Sequence, residues 1–230
     1  MTNITIEELG VILSKERLIP YGENGDDPQF IIKKYNDNVL LCEAMYPALH
    51  YFEVLLRNHI NFAIEKFFYE DWLINVPKTL QLSPKDNSKI NEIKDQFLKE
   101  KKRAPTHPDL VSRLSFGFWC ALFHKRFDPI LWHRKNALRY IFPNLRRENQ
   151  TRRYVESKIL RIKKIRNRIA HHERIWGGKE DTYQVYAAYE DCVELIQAMS
   201  NGSLHLLKMA DRFSEVYAKI NTFKNLPERK

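Results

Sequence analysis

The chain has 230 residues, with 38 Lys+Arg against 29 Asp+Glu, a formal net charge of +9 and a pI near 9.4. A hydrophobic content of 43% with thirteen Phe and eleven Tyr excludes a disordered chain, and only seven Gly exclude a collagen-like or linker one. Apolar runs such as Leu114–Phe123 fall short of the ~20 residues needed to cross a bilayer, and Cys42, Cys120 and Cys192 form no C-x-x-C pair, so membrane, secreted and zinc-finger classes drop out.

In chain order, Thr5-Ile6-Glu7-Glu8 is a capping box that opens a helix to about Arg17. A turn-rich loop from Pro20 to Gln29 precedes a brief helix near Phe30–Tyr35. Asn36-Asp37-Asn38 then offers caps for a helix running to about Tyr69, which Pro47 kinks or restarts. Its apolar positions Phe52, Leu55, Leu56, Ile60, Ala63, Ile64 and Phe67 form a helical stripe. Ser83-Pro84 opens a polar helix to about Lys102, an insertion on the edge of a bundle, and Arg103 to Pro108 ends it. Helices follow over Asp109–Phe123 and over Pro129–Phe142, the second shorter or broken.

A basic helix begins at Thr151 and continues to Ile169 or His172, with Trp176-Gly177-Gly178 as its stop. Asp181-Thr182-Tyr183-Gln184 boxes the start of a helix to about Ser200. Asn201-Gly202 makes a turn, and Ser203–Phe223 is the last amphipathic helix. No β-alternation, repeat or low-complexity tract is present. The pattern predicts one all-α domain over 1–230: a helical bundle core at about 39–200, elaborated by helices 5–17, 84–102 and 203–223. Residues 1–15 lack a charged region followed by an apolar one, so a cytoplasmic protein with reduced thiols is expected.

Most of the charge excess lies in one segment. Arg146 to Arg174 holds eleven basic residues against Glu148, Glu156 and Glu173, whereas the rest of the chain is nearly neutral. Such a stripe is either the footprint of a polyanion or simply a solvated helix face. With Ile162 at zero and about 100° per residue, Val155, Ile159, Ile162, Ile165 and Ile169 form the core-facing stripe, and Arg166 falls inside it at about 40°. Lys163 and Lys164 sit where solvated charges belong. An arginine is seldom buried without a partner, so Arg166 either closes a salt bridge, with Glu53 as a candidate, or serves chemistry. His171 lies about 140° from it on a straight helix. Either the helix loosens before His171 or the arginine arm swings round.

The stretch Ile165–Trp176 reads IRNRIAHHERIW. Its R-N-x-x-x-H resembles the signature of HEPN ribonucleases, and the longer form with AHHER and Trp resembles their Abi-like, abortive-infection branch. EVLLRNHI (Glu53 to Ile60) and LSFGFWCALF (Leu114 to Phe123) resemble that family's N-terminal Glu-x-x-x-Arg helix and its glycine-aromatic helix, in the same order. The resemblance runs from about residue 45 to 200. It implies a metal-independent endoribonuclease on an up-and-down bundle, of abortive-infection or toxin–antitoxin type and active as a homodimer with one composite site. Arg166 and His171 become the catalytic pair, Asn167 orients the motif, and Glu53, Arg57 and His172 support it. RNA contacts fall to Arg152, Arg153, Arg161, Lys163, Lys164, Arg168 and Arg174. The implied partners are RNA, a second copy of the chain and an antitoxin, protein or small RNA, with no membrane. The alternative is a non-catalytic RNA-binding or antiphage sensor module on the same bundle.

The residue types suit that chemistry. In metal-free RNA cleavage the ribose 2′-OH is the nucleophile, so the protein moves protons and stabilises phosphorane charge. A histidine near pKa 6.5 exchanges protons at cellular pH, and a guanidinium donates two hydrogen bonds to phosphate oxygens. Adjacent His171 and His172 diverge on a helix and lack an H-x-x-x-H or Cys/Asp set, so no metal and no cofactor is expected. A phosphate loop, a dinucleotide fingerprint and a nucleophile elbow are missing from the sequence.

Overall fold

Helix-forming residues with apolar positions three and four apart dominate the chain, and the computed structural model is helical accordingly. It describes residues 4–22, 25–133, 136–177 and 179–222. Among these no strand occurs, and the all-α expectation holds. The α-helices are α1 (Ile6–Leu13), α2 (Lys15–Leu18), α3 (Pro28–Phe67), α4 (Pro84–Lys101), α5 (His107–Arg113), α6 (Phe116–Ala121), α7 (Ala137–Ile141), α8 (Arg152–Ala170), α9 (Lys179–Met199), α10 (Asn201–Ala210) and α11 (Phe213–Thr222). The chain divides into two compact units. One comprises Met1–Leu49, Arg161–Glu190 and Leu207–Lys230; the other comprises His50–Leu160 and Asp191–Leu206.

In the first unit the Thr5 capping box forms as expected: Thr5 N–H donates to Glu8 Oε2 at 2.8 Å, and Glu8 N–H to Thr5 Oγ1 at 3.2 Å. The expected single helix to Arg17 breaks at Ser14, whose φ is +67° and whose hydroxyl caps α2. Leu9, Leu18, Tyr21 and Ile31 make a small apolar cluster over the start of α3. Elsewhere in this unit Phe213 of α11 stacks on Tyr189 of α9 with ring centroids 4.1 Å apart. The last helix is two, not one: α10 ends at Ala210, and Asp211 Oδ1 accepts the Phe213 N–H at 3.0 Å to restart the chain as α11. Phe223, the expected end, lies outside the described residues.

The helix α3 departs most from expectation. The brief helix at 30–35 and the cap at 36–38 are absorbed into 40 continuous residues, because Asp37 and Asn38 bond sideways instead of capping. Lys33 Nζ donates to Asp37 Oδ2 at 2.6 Å. Pro47 removes one N–H from the ladder without stopping it. Ala44, Met45, Ala48 and Leu49 around it are all buried, and that packing outweighs the lost hydrogen bond. An 18-residue window of α3 also has a mean hydropathy of 1.3, long and apolar enough for a bilayer by composition, with 39% of it buried within the fold. No uninterrupted apolar run marks this window in the sequence, because residues such as Glu43, Tyr46, Pro47, His50 and Glu53 are interspersed through α3.

In the second unit, Phe52, Leu56, Ile60, Ala63 and Ile64 of the expected stripe are buried, while Leu55 and Phe67 are half-buried. They meet Trp72, Trp119, Phe123, Phe127 and Phe142, each 1% exposed or less. The edge helix appears as α4, capped by Ser83, with Ile90 and Phe97 as its buried residues. The helix expected over 109–123 is split into α5 and α6, since Leu114 turns extended and the Ser115 hydroxyl caps Phe118 N–H. The segment expected over 129–142 becomes a π-helical turn at Asp128–Trp132, followed by the short α7.

A buried polar knot ties this unit together. Asn61 Oδ1 accepts Trp72 Nε1–H at 2.8 Å and lies 2.8 Å from His107 Nε2. His107 Nδ1 accepts the Leu73 N–H, so Nε2 carries the proton and donates. Asn61→Ala strands the buried Trp72 indole N–H, while His107 Nε2 keeps Glu65 Oε1 at 3.1 Å, and urea unfolding is expected to show a loss of about 1–3 kcal/mol. A loss under about 0.5 kcal/mol would mean the knot contributes nothing.

Candidate functional site

The site at the end of α8 belongs wholly to the first unit. Ile162 and Ile165 are fully buried and hold the helix down, while Arg166 is half-buried and engaged by neighbours. Asn167, His171 and His172 are exposed. The helix does not loosen before His171, since His171 N–H still reaches the Asn167 carbonyl at 2.9 Å. Arg166 and His171 therefore keep their offset of about 140° and about 7.5 Å along the axis.

The helix ends at Ala170, within the expected range, and the turn that follows comes before the glycines. His172 N–H bonds the Ile169 carbonyl at 3.0 Å, and Glu173 N–H bonds the Arg168 carbonyl at 2.7 Å. This is a Schellman turn with His172 at the left-handed position, φ +56°, where glycine is usual. Gly177 lies beyond the stop, and Gly178 lies outside the described residues.

Residues far away in sequence pin the turn. Ile175 and Trp176 are 0% and 4% exposed, so their N–H groups cannot reach water. Both donate to Asn38 Oδ1, at 2.7 and 3.2 Å, and Asn38 itself is buried in α3. Arg17 donates to the His172 carbonyl, and Arg174 to the Pro20 carbonyl. Asp181 takes Arg168 Nη1 on one oxygen at 2.9 Å and Arg174 Nη2 on the other at 2.8 Å. It does so in place of its expected role in a capping box, since α9 already begins at Lys179. Asn38, Arg17 and Asp181 are not among the candidates: the first two partner residues more than a hundred positions away, which nothing local in the sequence marks, and Asp181 reads locally as a helix cap.

The basic candidates divide by their partners. Lys163 and Arg161 are half-buried, and exposed Lys164 donates to Gln184 Oε1 at 2.9 Å. Arg168 and Arg174 share Asp181. In the second unit Arg153 is exposed, but Arg152 is fixed by Asp128 at 2.6 Å, by Glu156 and by the Phe123 carbonyl. Lys158 is similarly held by Asp191 at 2.6 Å and Glu194 at 3.0 Å; burial opposes its charge, but these two carboxylates raise its pKa overall. Glu53 and Arg57 also belong to that unit. Glu53 is half-buried and its charge helps raise the Cys192 thiol, after burial and Asp191, and Arg57 Nη1 reaches the Ser112 carbonyl at 3.4 Å. Among the described residues, no group of three or more His, Cys, Asp or Glu is placed to hold a metal.

Beside the turn lies a groove of about 860 Å³, with Cys42 in its lining. Burial pushes this thiol up to about 11, only partly opposed by the charge on Arg168. Comparison of the chain with protein-family models, with curated proteins and with solved structures finds no match.

Two expectations follow from the site. His172→Gly relieves the left-handed strain and is expected to raise stability by about 0.5–1 kcal/mol in thermal unfolding, whereas no gain would mean the turn is unstrained. Cys42 holds its proton at pH 8, so iodoacetamide should label it far more slowly than free cysteine, with the rate climbing toward pH 11. Labelling at the free-cysteine rate at pH 8 would contradict the burial.

Proposed function

We propose that the chain is a metal-independent endoribonuclease with Arg166, Asn167 and His171 as its working residues. The observation that carries the proposal is the end of α8, where an exposed histidine sits on a turn pinned by Asn38 and Arg17, one helical turn from an exposed asparagine and a half-buried arginine. The resemblance of RNRIAHHERIW to the Abi-like HEPN signature supports the same assignment, as does the basic character of α8. On it the helices correspond to a HEPN-like bundle, and the setting is a cytoplasmic abortive-infection or toxin–antitoxin system with an antitoxin as further partner.

The chemistry calls for two copies. One histidine cannot accept and donate a proton in the same step, and within one chain Arg166 and His171 leave the helix about 140° apart. In a homodimer one His171 takes the proton of the ribose 2′-OH as its oxygen bonds to phosphorus. The other His171 delivers a proton to the departing 5′-oxygen as the P–O5′ bond breaks. The products are a 2′,3′-cyclic phosphate and a 5′-OH end. Arg166 stabilises the phosphorane oxygens through paired hydrogen bonds, and Asn167 orients the motif. Glu53, Arg57 and His172 remain supporting candidates.

The test is cleavage of total RNA in EDTA by wild type, Arg166→Ala and His171→Ala, with end-group analysis and a DNA control. Wild type is expected to cut RNA alone, leaving cyclic phosphate and 5′-OH ends. Each variant is expected to lose at least about 100-fold in rate while circular dichroism and sedimentation stay unchanged. Equal cutting by wild type and His171→Ala would overturn the site. RNA binding without cutting by wild type would favour the non-catalytic RNA-binding module.

A further inference from the structure

The groove beside the turn lies entirely within the first unit, formed by α1, α2, the first half of α3, the end of α8 and the link from α10 to α11. Its walls are apolar, with Ile12 and Val39 each about half or more exposed and Ile169 opposite. Tyr46 offers a ring that is 62% exposed. Two guanidinium groups stand on its rim and leave it a small positive excess: Arg17, one of whose nitrogens holds the His172 carbonyl, and Arg212, 62% exposed and 2.6 Å from Glu43, the one acid in the lining. His172 lines the same groove, which therefore opens beside the residue next to His171.

A purely apolar guest, such as a lipid chain or a leucine side chain, gains nothing from the two guanidinium groups. A purely anionic one gains nothing from the walls. An unpaired base with its phosphate satisfies both: the flat ring stacks on an exposed aromatic, and the phosphate takes guanidinium hydrogen bonds. The volume falls within the ~300–1,000 Å³ of ordinary small-molecule sites. We infer that this groove holds one unpaired nucleobase of the bound strand, stacked on Tyr46, with the adjoining phosphate on Arg17 and Arg212. The inference rests on the nuclease reading only in taking RNA as the ligand; it adds a fixed position on the strand, next to the scissile bond, where the base is gripped.

The experiment uses single-stranded oligonucleotides fully 2′-O-methylated, which lack the nucleophile, with 2-aminopurine placed at successive positions. One position is expected to be quenched on binding to the full-length protein. Tyr46→Ala should abolish that quench and weaken binding about tenfold, while Tyr46→Phe keeps both. Arg212→Ala should lower the slope of log affinity against log salt by about one. Tyr46 is largely exposed, so the variant is expected to melt with wild type, and sedimentation of the same samples reports oligomeric state. No quenched position, or quench and affinity unchanged in Tyr46→Ala, overturns the inference. A change in oligomeric state in place of the quench assigns the groove to a second copy and also overturns it. Quenching without cleavage of unmodified RNA leaves the groove standing and sinks the nuclease reading; cleavage with no effect of Tyr46→Ala does the reverse.

Discussion

The carboxamide of Asn38 sets the course of the chain after α8, and the candidate site depends on that course. A helix that ends against a packed interior leaves backbone N–H groups beyond its last turn, and those of Ile175 and Trp176 are sealed from water. Left unpaired, each would cost about 1–3 kcal/mol. One buried oxygen takes both. The Schellman turn fixes the chain at Arg168–Glu173, and Asn38 fixes it again at 175–176. Only Arg174 lies between these two points, and His171, within the Schellman turn, is presented to solvent from a rigid base.

The same economy of partners governs the charges. Counted along the sequence, Arg146 to Arg174 carries an excess of eight positive charges. In the fold, carboxylates from outside the segment reach several of those cations: Asp128 at Arg152, Asp191 and Glu194 at Lys158, and Asp181 at both Arg168 and Arg174. Arg152 and Lys158 are 12% and 13% exposed at the side chain, so their ion pairs are structural joints whose loss would leave a poorly solvated charge. The exposed cations Arg153 and Lys164 remain on the outer side of the helix. The stripe is both a set of internal joints and a solvated basic face, so the total charge overstates the field it presents to a polyanion.

Legibility from the sequence varied with the range of the interaction involved. The capping boxes at Thr5, the Ser83 cap of α4 and the buried face of α8 all depend on residues three or four apart, and each was readable. Breaks were harder. The split between α5 and α6 and the break at Asp211 place ordinary helix-compatible residues at a corner, where packing rather than propensity decides. Pro47 misled in the opposite direction, for the buried residues around it hold α3 continuous. The end of α8 falls where the sequence puts it, but the left-handed residue there is His172 rather than a glycine, with the turn held from three sides.

By itself, then, the sequence determined an all-α chain, the length and burial of the basic helix, and the chemistry-bearing run RNRIAHHERIW at its end. Those properties follow from periodicity and residue type, which act within a few turns of helix. Only the tertiary structure decided that α8 stays regular through His171, that Asn38, Arg17 and Asp181 fasten the turn, and that an apolar groove with two guanidinium groups on its rim opens beside it. The first is a local hydrogen bond whose survival no pattern announces, whereas the Asn38 and Arg17 contacts and the groove rest on groups brought together from distant parts of the chain. Hydrogen-bond satisfaction on that scale is a property of the folded packing, and no local pattern encodes it.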